Sequence, residues 1–216
     1  SFPWAMGTTF SSLASSAQGL VAKQLGWLFG LAADYRNETR SHGNLMGNGV
    51  NGFRGAVYPE LYPTEDARLS WADALRLNVH PFFNAEQSRS SDSVPLVTVD
   101  GVGDVTPDEG RLRVHFSAAD EDGLAVALLW RYGQTIGEMP LSGTQVEADF
   151  LTPYYETGTD ENYSVHVYDV QGNRRVVWFP LRVQQGFNRA PRPSILAYPS
   201  HSAGQPVVLD ASHSTD

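Results

Sequence analysis

The chain has 216 residues, 41% of them hydrophobic, a net charge of -9 and no cysteine. That is apolar material for one large folded unit or two small ones, so disorder is not the expected state. The acidic balance argues against a nucleic-acid partner, and the missing cysteines exclude disulfides, thiolate zinc sites, iron–sulfur clusters and c-type haem attachment.

The opening SFPWAMGTTF lacks the basic and apolar parts of a secretory signal, so either a targeting segment has been removed or the chain is the inner part of something longer. The best apolar run, Gly19 to Ala33, is interrupted by Lys23 and Gln24 and is too short to span a bilayer. A helix is expected over Ser15 to Ala33. Val21, Leu25, Leu28 and Ala32 follow one stripe, which reads as its buried face, with Ser15 or Ser16 as N-cap. From Asp34 to Pro63 there is no period. This Gly- and Asn-rich stretch is expected to be an irregular loop pinned by Phe53, Tyr58 and Tyr62. Ser70-Trp71-Ala72-Asp73 is a capping box opening a short helix.

Residues 84–94 form a polar, Ser-rich linker, after which the period becomes two. Leu112, Val114 and Phe116 alternate with Arg113 and His115. Tyr163, Val165 and Val167 alternate with Ser164 and His166, so both histidines are expected to face solvent. Leu124 to Tyr132 and Val176 to Val183 supply further strands. Turns are expected at Asp122-Gly123, Ser142-Gly143 and Gln171-Gly172-Asn173. The pattern predicts an antiparallel β-sandwich of immunoglobulin type over 95–185. Residues 186–216 open with a Pro-rich linker and are too few for a domain.

The stretch KQLGWLFGLAAD, Lys23 to Asp34, has the frame of a zinc-peptidase helix, HELGHxxGLxHD. Leu25, Gly26, Gly30, Leu31 and Asp34 fit it, and Ser41 to Gly49 resembles the segment carrying the Met-turn, with Met46 as its methionine. On these residues the first 83 positions resemble part of a metzincin-type metallopeptidase. The resemblance implies zinc held by two histidines four apart, a glutamate general base, and a third ligand beyond a turning glycine. Aligned on Gly30, those positions hold Lys23, Gln24, Trp27 and Ala33. None of the four can ligate zinc as the family does, and Gln24 cannot take a proton from water. The resemblance is therefore to a pseudo-peptidase. The family also places a sizeable sheet before this helix, for which the residues ahead of Lys23 leave no room.

Other chemistry is thinly represented. His42 and His80 are weak metal candidates, and Asp120 with Asp122 is a weak calcium candidate in an acidic turn. Asn37-Glu38-Thr39 and Asn162-Tyr163-Ser164 are glycosylation sequons of little weight. Residues 95–185 also resemble bacterial immunoglobulin-like domains, and Asn188 to Pro191 with Gly204 to Asp216 resembles the opening of a PKD domain. Both resemblances imply an exported, bacterial, extracytoplasmic protein.

The expected fold is α+β and multidomain: a helical, loop-rich metallopeptidase-like remnant (1–83), a linker (84–94), an immunoglobulin-like β-sandwich (95–185), and a linker with a truncated PKD-like start (186–216). The expected function is non-catalytic, an exported binding or scaffolding subunit docking on a protein partner or a membrane-bound complex, without cofactor. Trp4, Phe10, Val21, Leu25 and Leu28 are the candidate partner surface. Two alternatives stand beside it. One is an active secreted zinc metalloendopeptidase using His42, Asp34 or His80. The other is a carbohydrate-binding or adhesion module using Trp130, Tyr154 or Tyr155.

Overall fold

The computed structural model of the chain describes residues 10–36, 42–84, 93–100, 103–184, 196–197 and 209–210. Helix α1 runs Phe10–Leu28, starting and ending earlier than the periodicity predicts. Ser15 and Ser16 are not caps but interior helical residues. Ser15 Oγ accepts from the Arg54 amide at 2.9 Å. Of the apolar stripe, Ala32 is buried but lies beyond the helix end, while Val21 is 62%, Leu25 49% and Leu28 79% exposed. The face that packs is instead the small one, Ser15, Gly19 and Gly26, together with Lys23. Close approach explains the choice. A Cβ on Gly19 would lie 2.3 Å from the Val50 carbonyl oxygen, and one on Gly26 2.4 Å from Met46 Sδ. No bulky stripe fits against those neighbours.

The helix stops in a Schellman motif. Gly30 takes φ +76°, its amide bonds to the Trp27 carbonyl at 3.0 Å, and the Leu31 amide reaches the Gly26 carbonyl at 3.1 Å. The aperiodic stretch then forms short elements rather than one loop. Strand β1 (His42–Asn44) pairs in parallel with β2 (Asp66–Arg68), and between them lie a 3-10 turn (Gly49–Gly52) and helix α2 (Phe53–Val57). Tyr62 does pin this region, under the Arg54 guanidinium at 4.2 Å, whereas Tyr58 is exposed. Helix α3 (Trp71–Asn78) begins with the expected capping box, each partner of Ser70 and Asp73 bonding the other's amide.

Eight strands follow: β3 (Leu96–Asp100), β4 (Gly103–Val105), β5 (Leu112–Ala119), β6 (Leu124–Arg131), β7 (Gln134–Pro140), β8 (Gln145–Thr152), β9 (Asp160–Asp169) and β10 (Arg174–Val183). They form a three-stranded sheet, β3-β5-β8, and a five-stranded sheet, β4-β10-β9-β6-β7. Pairing is antiparallel except for β4 beside β10. Phe116 and Phe150 from the smaller sheet share one core with Leu129, Val165 and Phe179 from the larger. The inward alternation of β5 is as expected. Strand β9 departs from it, because its outward residues are buried as well. Helix α3 lies on that outer face, packing Ala72, Leu75 and Val79 against Val126, Leu128 and Tyr168. His166 is therefore 2% exposed, not solvated. Of the tail, Leu196–Ala197 pairs antiparallel with Leu209–Asp210; the rest of the PKD-like segment lies outside the described residues, as do Trp4 and positions 85–92 of the linker.

Candidate functional site

The α1 positions expected from the sequence to correspond to a zinc helix carry their own set of contacts. Lys23 is 8% exposed, and its Nζ donates to the Gly47 carbonyl at 3.0 Å. The same Nζ lies 5.7 Å from the Trp27 ring centroid and 5.3 Å from that of Tyr35. Among the described residues, one carbonyl and two aromatic faces satisfy the cation, without a carboxylate. Gln24 is exposed and Trp27 is 46% exposed. Met46 lies fully buried against Gly26, so the helix and the Met46 loop are in direct contact.

Past the Gly30 turn, Ala33 contributes its backbone: its carbonyl accepts from the Thr135 amide of β7 at 2.8 Å. Asp34, 1% exposed, bonds the Arg36 side chain through both oxygens, at 2.9 and 2.7 Å. Arg36 also bridges to Glu138 on β7. Burial opposes the Arg36 charge, but the hydrogen bonds and charges of Asp34 and then Glu138 hold its pKa above the usual range. Nearby, burial pushes the Asp73 carboxyl up to about 6, against hydrogen bonds from Ser70 that favour its charged form. Asp34, Arg36 and Glu138 line a cleft of about 370 Å3 with Trp71.

These donors do not fit a zinc ion. A lysine ammonium has no lone pair to give, and Ala33 supplies only a carbonyl already bonded to β7. Two of the other candidates, His80 and Asp120, are engaged elsewhere. His80 sits edge-on to Phe29 at 5.5 Å, and its Nδ1 accepts from the Phe82 amide at 3.1 Å. His42 forms part of β1, and its side chain lies outside the described residues, as does that of Phe10. Asp120 closes its own turn, accepting from the Asp122 amide at 2.9 Å. Among the described residues no three His, Asp or Glu side chains gather as a metal site. Trp130 stacks on His166 with centroids 3.8 Å apart, which removes one of its faces from any ligand. Val21, Leu25 and Leu28 form an exposed patch with Leu20. Sequence reasoning missed the Arg36 bridge and the Tyr35 contact, because both partners of each become neighbours only through the Gly30 turn and the seat on β7.

No family model matches the chain, and no curated protein does. Solved structures do. The fold is similar to that of catalytically inactive OgpA from Akkermansia muciniphila in complex with an O-glycopeptide substrate: TM-score 0.59, 15% identity, over 80% of this chain and 51% of that one. Wild-type OgpA from the same organism gives 0.59 and 12%, over 80% and 52%. The chain therefore spans about half the length of OgpA. At such identity the likeness is one of fold alone, and it fits the α+β class.

Proposed function

We propose that this chain is a non-catalytic binding or scaffolding subunit derived from an exported bacterial metallopeptidase, with an immunoglobulin-like sandwich behind its remnant helix and a PKD-like start behind that. The observation that carries the reading is Lys23, whose buried Nζ lies between Trp27 and Tyr35 and on the Gly47 carbonyl where the family's first zinc histidine would stand. A fixed cation there opposes a metal dication by charge as well as by lack of a lone pair. The general base is replaced by Gln24, so water activation has no proton acceptor at that position. What the remnant offers instead is surface. Leu20, Val21, Leu25 and Leu28 are exposed on one helix, a patch of the kind that marks protein–protein contact. No helix among the described residues is long and apolar enough to cross a membrane.

The test is elemental mass spectrometry of the native protein after dialysis without chelator. The expected result is no transition metal and no cleavage of casein. The fourfold variant Lys23→His, Gln24→Glu, Trp27→His, Ala33→His is expected to take up zinc. Near-stoichiometric zinc in the unaltered protein overturns the reading.

A further inference from the structure

The cleft where the segment after α1 meets the sandwich is walled by tyrosines. Tyr35, Tyr132, Tyr154 and Tyr155 enclose about 310 Å3, the small end of the range for small-molecule sites, roughly 300–1,000 Å3. Tyr154 and Tyr155 are seated against the sandwich core, which makes a fixed floor. Tyr35 and Tyr132, 45% and 60% exposed, stand at the mouth.

Tyr132 is there at a conformational cost. It and Gly133 form the two-residue turn between β6 and β7, with φ +49° and +75°. That turn type prefers Asn or Gly at its first position, and a bulky side chain with positive φ is an outlier. A local rule broken in this way is expected where a side chain serves a binding site. Beside it, Arg131 pairs with Glu156 at 2.8 Å and with Glu161 at 3.1 Å. A donor and an acceptor thus lie together on the cleft wall. The neighbouring strand edge is engaged beside the cleft, where the Thr135 amide bonds to Ala33, so a peptide cannot add as a strand at that point.

We infer that this cleft binds a neutral saccharide, one ring against Tyr132 and Tyr35 with its hydroxyls bonded to Arg131 and Glu156. A sugar hydroxyl both donates and accepts, matching the paired groups, while its C–H face matches a tyrosine ring. A proline-rich peptide, the other ligand suited to aromatic grooves, brings few donors for Glu156. The inference stands on the cleft alone and holds whether or not the α1 site takes metal.

The experiment is an NMR titration of the chain with the methyl glycosides of glucose, galactose, N-acetylglucosamine and N-acetylgalactosamine. At least one is expected to saturate at millimolar concentration. Tyr132→Asn suits the turn better and is expected to keep or raise the Tm while weakening that sugar at least about tenfold. Glu156→Ala, on an exposed side chain, is expected to weaken it without unfolding. Absence of saturation by every glycoside, an unchanged affinity in Tyr132→Asn, or displacement of the sugar by a proline-rich peptide overturns the assignment.

Discussion

His166 can take a proton only by carrying charge into a dry sheet face. Its Nε2 meets Ser164 Oγ at 2.9 Å, and its ring lies on Trp130. Burial first, then the positive charges of Arg174 and Arg76, lower its pKa from 6.5 to about 3. Below pH 6.5 the unfolded chain binds a proton that the folded chain refuses, so this group's contribution is complete above that pH and is lost as pH falls toward 3. Asp73 acts in the opposite sense. Its raised pKa of about 6 means that the folded chain holds the proton between pH 3.8 and 6, and stability from this group declines as pH rises through that window. The two slopes offset each other in the native chain. Comparison with His166→Phe, which keeps the ring stack and the shared Asp73 effect, isolates the histidine. Between pH 7 and 5 the native chain should lose about 2 kcal/mol relative to the variant, at about 1.4 kcal/mol per pH unit. Urea unfolding at the two pH values measures it, and equal losses in both proteins would refute the buried-histidine account.

At the scale of elements, the contrast between α3 and α1 shows what can be read from a sequence. The start of α3 was legible because a capping box is local: Ser70 and Asp73 find each other within one turn. Strands β5, β6, β9 and β10 and the turns at Asp122-Gly123, Ser142-Gly143 and Gln171-Gly172-Asn173 were legible from equally local patterns, whereas β3, β4, β7, β8 and the Tyr132-Gly133 turn were not. The buried side of α1 was not legible either, because its packing is set by the Val50 backbone and the Met46 side chain, which approach from a later loop. Hydrophobic periodicity marks what a helix can bury, and here the chain buries the glycine face and leaves the leucines outside. This has a measurable consequence. Gly19→Ala drives a Cβ into the rigid Val50 backbone, whereas Gly26→Ala meets the flexible end of Met46. Overpacking costs roughly 1–3 kcal/mol, and alanine returns up to about 1 kcal/mol of helix propensity. Gly19→Ala should therefore destabilise by about 1–2 kcal/mol more than Gly26→Ala in chemical denaturation. The reverse order would mean that the α1–loop contact is looser than described. The outward residues of β9 were misread for a related reason: alternation is silent about a helix arriving on the second face.

For the whole molecule, the apolar α3 contact that joins the helical unit to the sandwich is supplemented by a few polar and close backbone contacts. Arg36 satisfies the buried Asp34 and reaches Glu138 across the joint. Val79 meets Gly172 so closely that a Cβ there would lie 2.3 Å from the Val79 carbonyl oxygen. None of this was visible in the sequence, since Arg36 and Glu138 are 102 residues apart. Arg36→Ala leaves Asp34 buried without its cation and should cost about 3 kcal/mol or more. Glu138→Ala removes the crossing bond but leaves the Asp34–Arg36 pair, and should cost about 1 kcal/mol. Thermal unfolding of the two variants checks the order. Equal effects would place the stabilisation in the crossing bond rather than in the neutralised aspartate.

The bond from the Thr135 amide to the Ala33 carbonyl has a consequence for how such a protein can be reshuffled. β7 is the outer strand of the five-stranded sheet, and an outer strand with open amides invites pairing with another chain. Here the segment after α1 covers part of that edge, while α3 covers the adjacent sheet face. Excised for transplantation, the sandwich would show both a bare strand edge and a bare apolar face. It is therefore a poor portable module. The helical unit is a cover that the sandwich cannot shed, and the two are expected to pass through gene duplication and recombination together.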